Sequence, residues 1–247
     1  MSNHLVGKRA LVTGGSRGIG AAIALALAEN GADVALTFQH SADQARQLVA
    51  SIEKLGRRGI AIEADIGDPV AIRRSVGDAV GALGGLDILV NNAAIARYST
   101  IADFKLADID ALLAVNVRGP ILATQAAIPH LGAGGRVITI GSAGADRIVG
   151  APGTVYYMTK SALQSLTRGL AQELGSRDIT ANLVQPGSTD TEMNPADGES
   201  AEYQRSLTPL GRFAEPADIA AAVVFLASPG ARHVTGTVLT VDGGLLT

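Results

Sequence analysis

Tyr156 and Lys160 stand four residues apart in Thr154-Val155-Tyr156-Tyr157-Met158-Thr159-Lys160. On a helix that spacing puts both side chains on one face. A phenol ordinarily titrates near pH 10, and a cation held beside it favours the phenolate. Such a tyrosine can give or take the proton of a carbonyl/alcohol pair. Tyr157 competes for the role, because Lys160 is its i+3 neighbour. Ser142, in Ile140-Gly141-Ser142-Ala143-Gly144, follows a short apolar run, where a hydroxyl can donate to a carbonyl oxygen. By itself it also reads as a turn serine. Asn116 is a polar residue inside the apolar stretch Val115-Asn116-Val117. A buried amide there must be hydrogen-bonded, to backbone or to a water.

A second cluster lies near the start of the chain. Thr13-Gly14-Gly15-Ser16-Arg17-Gly18-Ile19-Gly20 follows a short apolar strand and opens a helical pattern. Glycines there allow a tight turn and a close approach to a pyrophosphate. The helix N-terminus adds free amides and a positive dipole end. The spacing is Gly-x-x-x-Gly-x-Gly, so taken alone the segment also fits an ordinary glycine-rich turn. The end of the next strand, Thr37-Phe38-Gln39-His40-Ser41, carries no Asp or Glu. An acid at this point accepts the adenosine ribose hydroxyls and selects NAD; its absence removes repulsion against a 2′-phosphate. Arg17 supplies charge, and Gln39, His40 and Ser41 supply hydrogen bonds. The pattern favours NADP(H) over NAD(H).

The elements that must position these groups alternate. Apolar strands are predicted at Arg9 to Thr13, Val34 to Phe38, Ile60 to Ala64, Leu86 to Asn91, Arg136 to Ile140, Thr180 to Val184 and Val238 to Val241. Helical patterns lie between them: Ile19 to Asn30, Ala42 to Leu55, Pro69 to Leu83, Leu106 to Leu131, Val155 to Leu174 and Ala217 to Ala227. The fourth of these is expected to bend near Gly119-Pro120, since proline lacks the amide donor. Alternating β and α elements with apolar strands describe an α/β fold: a doubly wound parallel sheet of about seven strands with helices on both faces. No repeat or linker divides residues 1–247, so one domain is expected. Asn91 and Asn92 close the fourth strand as turn formers.

Composition excludes several classes. The chain has 247 residues, is 47% hydrophobic, and carries a net charge of −3 with no basic run longer than two. Neither a nucleic-acid footprint nor a polybasic membrane anchor is expected. There is no cysteine, and the four histidines are scattered, so thiolate chemistry and a metal site are not expected. The longest apolar stretch, Ile219 to Ala227, is far short of the roughly 20 residues that span a bilayer. A cytoplasmic protein acting on a small molecule is the expectation.

In order along the chain, the glycine turn, Asp65, Asn91-Asn92-Ala93, Asn116, Ser142, Tyr156-x-x-x-Lys160, Pro186-Gly187 with Thr191, and Val241-Asp242-Gly243-Gly244 resemble the short-chain dehydrogenase/reductase family. The resemblance covers essentially the whole chain. One departure is Ala94, where the family usually has Gly. The resemblance implies a Rossmann-like single domain and a homotetramer. It implies that Tyr156, not Tyr157, is the proton donor, and that Lys160 holds the nicotinamide ribose and lowers the Tyr156 pKa. Ser142 would orient the carbonyl, and Asn116 would hold a relay water. A coenzyme site is implied from Gly14, Ser16, Arg17, Gly18, Ile19 and Gly20 in the turn, and from Phe38, Gln39, His40 and Ser41 after the second strand. Ala64, Asp65 and Ile66 would meet the adenine. Asn92, Ala93, Ala94 and Val115 would line the site's middle. Pro186, Gly187, Thr189 and Thr191 would meet the nicotinamide with Tyr156 and Lys160.

Substrate choice is expected in two segments, 143–154 and 188–210. The second is polar with Gly and Pro and reads as a mobile lid. Ser142, Tyr156, Ile148, Val149 and Met193 are the expected substrate contacts. The subfamily that reduces 3-oxoacyl carrier-protein thioesters carries arginines beside its site, where this chain has Ala133 and Gln172. The expectation is therefore an NADPH-dependent reductase of free ketones or aldehydes, with a 3-oxoacyl carrier-protein reductase or an alcohol or sugar dehydrogenase as alternatives. A nucleotide-binding regulator on the same fold is the reading from another class.

Overall fold

The computed structural model describes residues 4–148 and 152–247. Seven strands, β1 (Arg9–Val12), β2 (Asp33–Phe38), β3 (Gly59–Glu63), β4 (Leu86–Asn91), β5 (Leu131–Ile140), β6 (Thr180–Pro186) and β7 (Val238–Val241), form one sheet in the order β3-β2-β1-β4-β5-β6-β7. Every neighbouring pair is parallel. Strand side chains alternate between faces, and the core follows. Ala10, Val12, Val34, Leu36, Ile88 and Val90 pack with α1 (Gly18–Glu29), α2 (Ala42–Lys54) and α8 (Pro216–Ala227). Leu11, Ala35, Leu89 and Val137 face the other way, onto α3 (Pro69–Leu83), α5 (Gly119–Ala127) and α6 (Thr154–Leu174). Helices thus cover both faces, as the alternating pattern requires. Chain order reverses between β1 and β4, and in such sheets ligands bind at that switch point, outside the strands' carboxyl ends.

The long helical pattern at Leu106 to Leu131 breaks into pieces. The segment α4 (Leu106–Leu113) runs into a π-helical stretch, Ala114–Arg118, then α5, then a 3₁₀ turn at Ile128–His130; Leu131 already belongs to β5. The break falls one turn before the expected Gly119-Pro120 bend. Pro120 has no amide to offer the Asn116 carbonyl, its i−4 partner, and the backbone rewinds around Asn116. Such π stretches recur at functional sites. By length and apolarity the run 106–130 could cross a membrane. In this fold it buries Leu112, Asn116, Ala123, Thr124 and Ala127 against the protein and leaves Leu106, Leu113 and Ile121 exposed.

One element escaped the sequence reading. Between β6 and α8 lies α7 (Ala201–Ser206), whose six residues are too short to show a helical period. The segment before it turns on backbone bonds between Thr191 and Asn194.

Candidate active site

At the carboxyl ends of β1 and β4, three residues lock the glycine turn to the sheet. The Thr13 hydroxyl accepts from the amides of Asn92 (3.0 Å) and Ala93 (3.1 Å). The Asn92 amide nitrogen donates to the carbonyls of Thr13 and Gly14, each at 3.0 Å. Thr37, fully buried on β2, accepts from the Gly14 amide at 3.0 Å. Asn92 is therefore a clamp on the turn rather than a mere turn former. Gly14 holds φ +61°, and a Cβ on Gly20 would collide with the Gly14 carbonyl and the Asn92 side chain. At the start of α1 no side chain caps the helix and no acid stands in its first turn. The first amides are left for an anion, as a dinucleotide pyrophosphate requires.

From this turn a cleft of about 1080 Å³ runs along the sheet edge to α6 and α7. Its wall contains the whole predicted coenzyme set: Gly14, Ser16, Arg17, Gly18, Ile19 and Gly20; Phe38, Gln39, His40 and Ser41; Ala64, Asp65 and Ile66; Asn92, Ala93, Ala94 and Val115; Pro186, Gly187, Thr189 and Thr191. Asp65 is oriented by accepting the Gly67 amide at 2.7 Å. Ser142, Tyr156, Lys160 and Met193 line the same cleft. Ile148 does not: it is exposed and lies outside the lining, so this expected substrate contact is not brought in. Val149 lies outside the described residues. Tyr98, Tyr157, Tyr203 and Leu245 line the wall unpredicted as contacts. Lone aromatics in loops and short helices carry no spacing signal that could have found them.

On α6 the two tyrosines separate. The Tyr157 ring lies between the backbones of Gly144 and Gly153, where a Cβ on either glycine would strike it. Tyr156 instead lies beside Ser142, whose hydroxyl draws its phenol down. Ser142 also accepts from the Gly144 amide at 3.2 Å, so it is a turn serine and a partner of the phenol at once. Burial pushes the Tyr156 phenol up, the neighbouring Tyr98 and Tyr157 act in the same direction, and only the Ser142 hydrogen bond opposes them. This departs from the expectation that Lys160 draws the phenol down. Lys160 Nζ is committed to the Ile140 carbonyl at 3.1 Å and sits 6.0 Å from the Tyr156 ring centroid. Its own burial lowers it to about 8, because no carboxylate compensates the desolvated ammonium.

Asn116 is 1% exposed, and its amide is used up by protein. Its oxygen accepts the Ile95 amide at 2.9 Å; its nitrogen donates to the Ile95 carbonyl (2.9 Å) and to Thr159 Oγ1 (3.1 Å). A water at this position would meet the Asn116 backbone carbonyl, to which Pro120 offers no amide, or the second lone pair of the side-chain oxygen.

The depressed Lys160 value gives a pH signature. Between about pH 8 and its ordinary 10.5, the unfolded chain keeps a proton that the folded one has lost. Stability contributed by Lys160 therefore rises with pH across that window, and at pH 7 the buried ammonium costs on the order of 3 kcal/mol. Above pH 10 the raised Tyr156 acts oppositely. Coenzyme-free Lys160→Met is expected to melt higher than the parent at pH 7, with the gap closing by pH 10. Parallel melting curves for the two proteins would show that Lys160 is not desolvated.

Comparison with known proteins agrees with this geometry. A family model described as enoyl-(acyl carrier protein) reductase matches residues 14–246. L-rhamnose 1-dehydrogenase (NAD(P)(+)) of Sphingomonas sp. (strain SKA58) is 40% identical over 247 residues, 98% of this chain and 97% of that protein. The cyclic-di-GMP-binding biofilm dispersal mediator protein of Escherichia coli (strain K12) is 40% identical over 237 residues, 96% of each chain. A crystal structure of a short chain dehydrogenase from Burkholderia cenocepacia J2315 in complex with NADP matches with a TM-score of 0.98 at 55% identity, covering 99% of this chain and 100% of that one. The chain belongs to the short-chain dehydrogenase/reductase family. It is an oxidoreductase.

Proposed function

We propose that this oxidoreductase is an NADPH-dependent carbonyl reductase acting on free ketones or aldehydes. One observation carries the reading: Ser142, Tyr156 and Lys160 meet in a single cleft with the open amides of α1. Bound NADPH would supply the hydride. Ser142 and Tyr156 would hold the carbonyl oxygen between two hydroxyls, and Tyr156 would deliver the proton as negative charge develops there. Lys160 would keep its charge close to the phenol and to the coenzyme ribose. Asn116 would position Lys160's helix through Thr159, and its carbonyl would hold the relay water. The segment 188–210 would close over the substrate as a lid. The enzyme would work as a homotetramer, which covers the exposed apolar side chains Leu106, Leu113 and Ile121 along α4 and α5 and Phe225 on α8.

Coenzyme choice rests on Gln39, His40, Ser41 and Arg17, with no carboxylate among the first three. The NADP held by the relative from Burkholderia cenocepacia supports it. Arg17 is paired with Glu192 at 2.5 Å, both side chains being exposed, and a 2′-phosphate would compete with that carboxylate. Arg17→Ala is expected to weaken NADPH roughly ten- to a hundredfold, the range for a lost charged hydrogen bond, and NADH within threefold, measured by fluorescence titration. Equal losses for both coenzymes would take Arg17 out of phosphate recognition.

A second reading is an oxidative sugar dehydrogenase, favoured by the relative that acts as L-rhamnose 1-dehydrogenase. Against it, the amides of Asn194 and Gln204 in the lid bond reciprocally at 3.0 and 2.9 Å. They are spent on each other rather than offered to sugar hydroxyls. The test is absorbance at 340 nm with NADPH and NADH in parallel, against ketones, aldehydes, a 3-oxoacyl thioester and, in the oxidative direction, aldoses. NADPH-dependent turnover of free ketones supports the proposal. Turnover of aldoses alone moves the protein to the second reading, and silence with tight NADPH binding moves it to a ligand-binding regulator.

A further inference from the structure

Arg17 leaves the glycine turn at the position that precedes α1, and Glu192 lies on the segment 188–210, 175 residues further along the chain. Their side chains meet at 2.5 Å across the cleft that both line. The two backbones are close there as well: a Cβ on Gly18 would stand 3.5 Å from the Thr191 methyl. Among the described residues no other hydrogen bond ties this segment to the turn. Its remaining bonds run elsewhere. The Ser188 carbonyl accepts the Ala214 amide at 2.9 Å, the Asp190 carboxylate accepts the Ala196 amide at 2.9 Å, and Asn194 pairs with Gln204. The segment is folded on itself and joined to the turn through Glu192. Arg17 also supplies the one guanidinium among the described residues of the cleft wall. The Lys160 ammonium in the same wall is buried and bonded to the Ile140 carbonyl. One carboxylate thus holds the group that a coenzyme phosphate needs.

We propose that Glu192 is a positioning residue that sets the margin between NADPH and NADH, because a 2′-phosphate must take Arg17 away from its carboxylate. This deepens the NADPH reading and rests on it. NADH makes no claim on the guanidinium and binds with the pair intact. The coupling is reciprocal: whatever Glu192 takes from phosphate binding, the phosphate takes from the tie between segment and turn. A ligand that carries the 2′-phosphate therefore loosens the segment 188–210 without touching it. The size of the effect is bounded. The two side chains are 57% and 61% exposed, and exposed pairs change a binding constant by about fivefold at most. The loss of Arg17 itself is expected at roughly ten- to a hundredfold. Glu192 tunes the preference and does not create it.

The test is calorimetry on the coenzyme-free protein at low ionic strength, where exposed pairs are least screened. NADPH and NADH are titrated beside adenosine 2′,5′-bisphosphate and AMP, which carry the adenosine half alone. Glu192→Gln should bind NADPH and the bisphosphate about twofold to fivefold tighter and leave NADH and AMP unchanged. In the Arg17→Ala background the same change should do nothing. Hydrogen exchange gives a second readout. The bisphosphate should speed exchange of the backbone amides of 188–210 in the parent, AMP should not, and Glu192→Gln should exchange at the faster rate without ligand. Equal gains for NADPH and NADH, or a gain that survives Arg17→Ala, would overturn the proposal. An NADPH preference untouched by Glu192→Gln would overturn it alone, whereas a parent that binds NADPH no better than NADH would overturn the coenzyme reading with it.

Discussion

Tyr156→Phe is expected to cut ketone turnover by about a hundredfold to ten-thousandfold, the range for a lost general acid. NADPH affinity should stay within about threefold. The substitution keeps the ring, and therefore its packing against Tyr98 and Tyr157, and removes only the hydroxyl that reaches Ser142. Tyr157→Phe should cost far less, because that ring is fixed between Gly144 and Gly153 and the Ser142 contact belongs to its neighbour. The pair of variants is measured by steady-state kinetics with coenzyme binding in parallel. If Tyr157→Phe proved the more damaging of the two, the roles of the tyrosines would have to be exchanged.

The second large effect is expected at Gly20. An alanine there drives its Cβ into the Gly14 carbonyl and the Asn92 amide, the two groups that lock the turn to β4. Overpacking of this kind costs about 1–3 kcal/mol, and each displaced hydrogen bond adds about 1 kcal/mol. Melting should fall by roughly 5–10 °C for a domain of this size, with NADPH affinity lost about a hundredfold or more as the turn leaves the pyrophosphate. Gly77→Ala is the contrast. A Cβ at Gly77, within α3, meets nothing within 4 Å, so this change should stabilise by about 0.5–1 kcal/mol. Normal coenzyme binding by Gly20→Ala would mean that the turn does not approach the phosphates closely.

The sheet was legible because its signal is local. Runs such as Ala10-Leu11-Val12 and Ile88-Leu89-Val90 are apolar on both faces, as parallel strands covered twice must be. Spacing and place after a strand offered Tyr156, Lys160, Ser142 and the glycine turn, the family resemblance selected them, and the structure gathers them in one cleft. What the sequence hid was long-range. That Asn92 clamps the turn, that Thr37 caps Gly14, and that Asn116 spends its amide on Ile95 all depend on partners 21 to 79 residues away. The Tyr156 phenol was misjudged for a related reason. Spacing shows that a cation is near, but not that the cation is bonded to Ile140 or that burial outweighs it. Tyr98 and Tyr203 were invisible as contacts because no periodicity links a loop after β4 to a six-residue helix. Ile148, expected as apolar lining, is exposed and lies outside the residues that line the cleft.

The central claim is that hydride moves from NADPH to a carbonyl carbon in the cleft shared by Ser142, Tyr156 and Lys160. It is tested most directly with NADPH deuterated at the transferable position of the nicotinamide and acetophenone as acceptor, followed by mass spectrometry and NMR of the alcohol. One deuterium on the carbinol carbon, formed by the parent protein and lost with Tyr156→Phe, is the predicted result. NADPH consumption that leaves the alcohol unlabelled, or labelled alcohol formed equally well by Tyr156→Phe, would contradict the account.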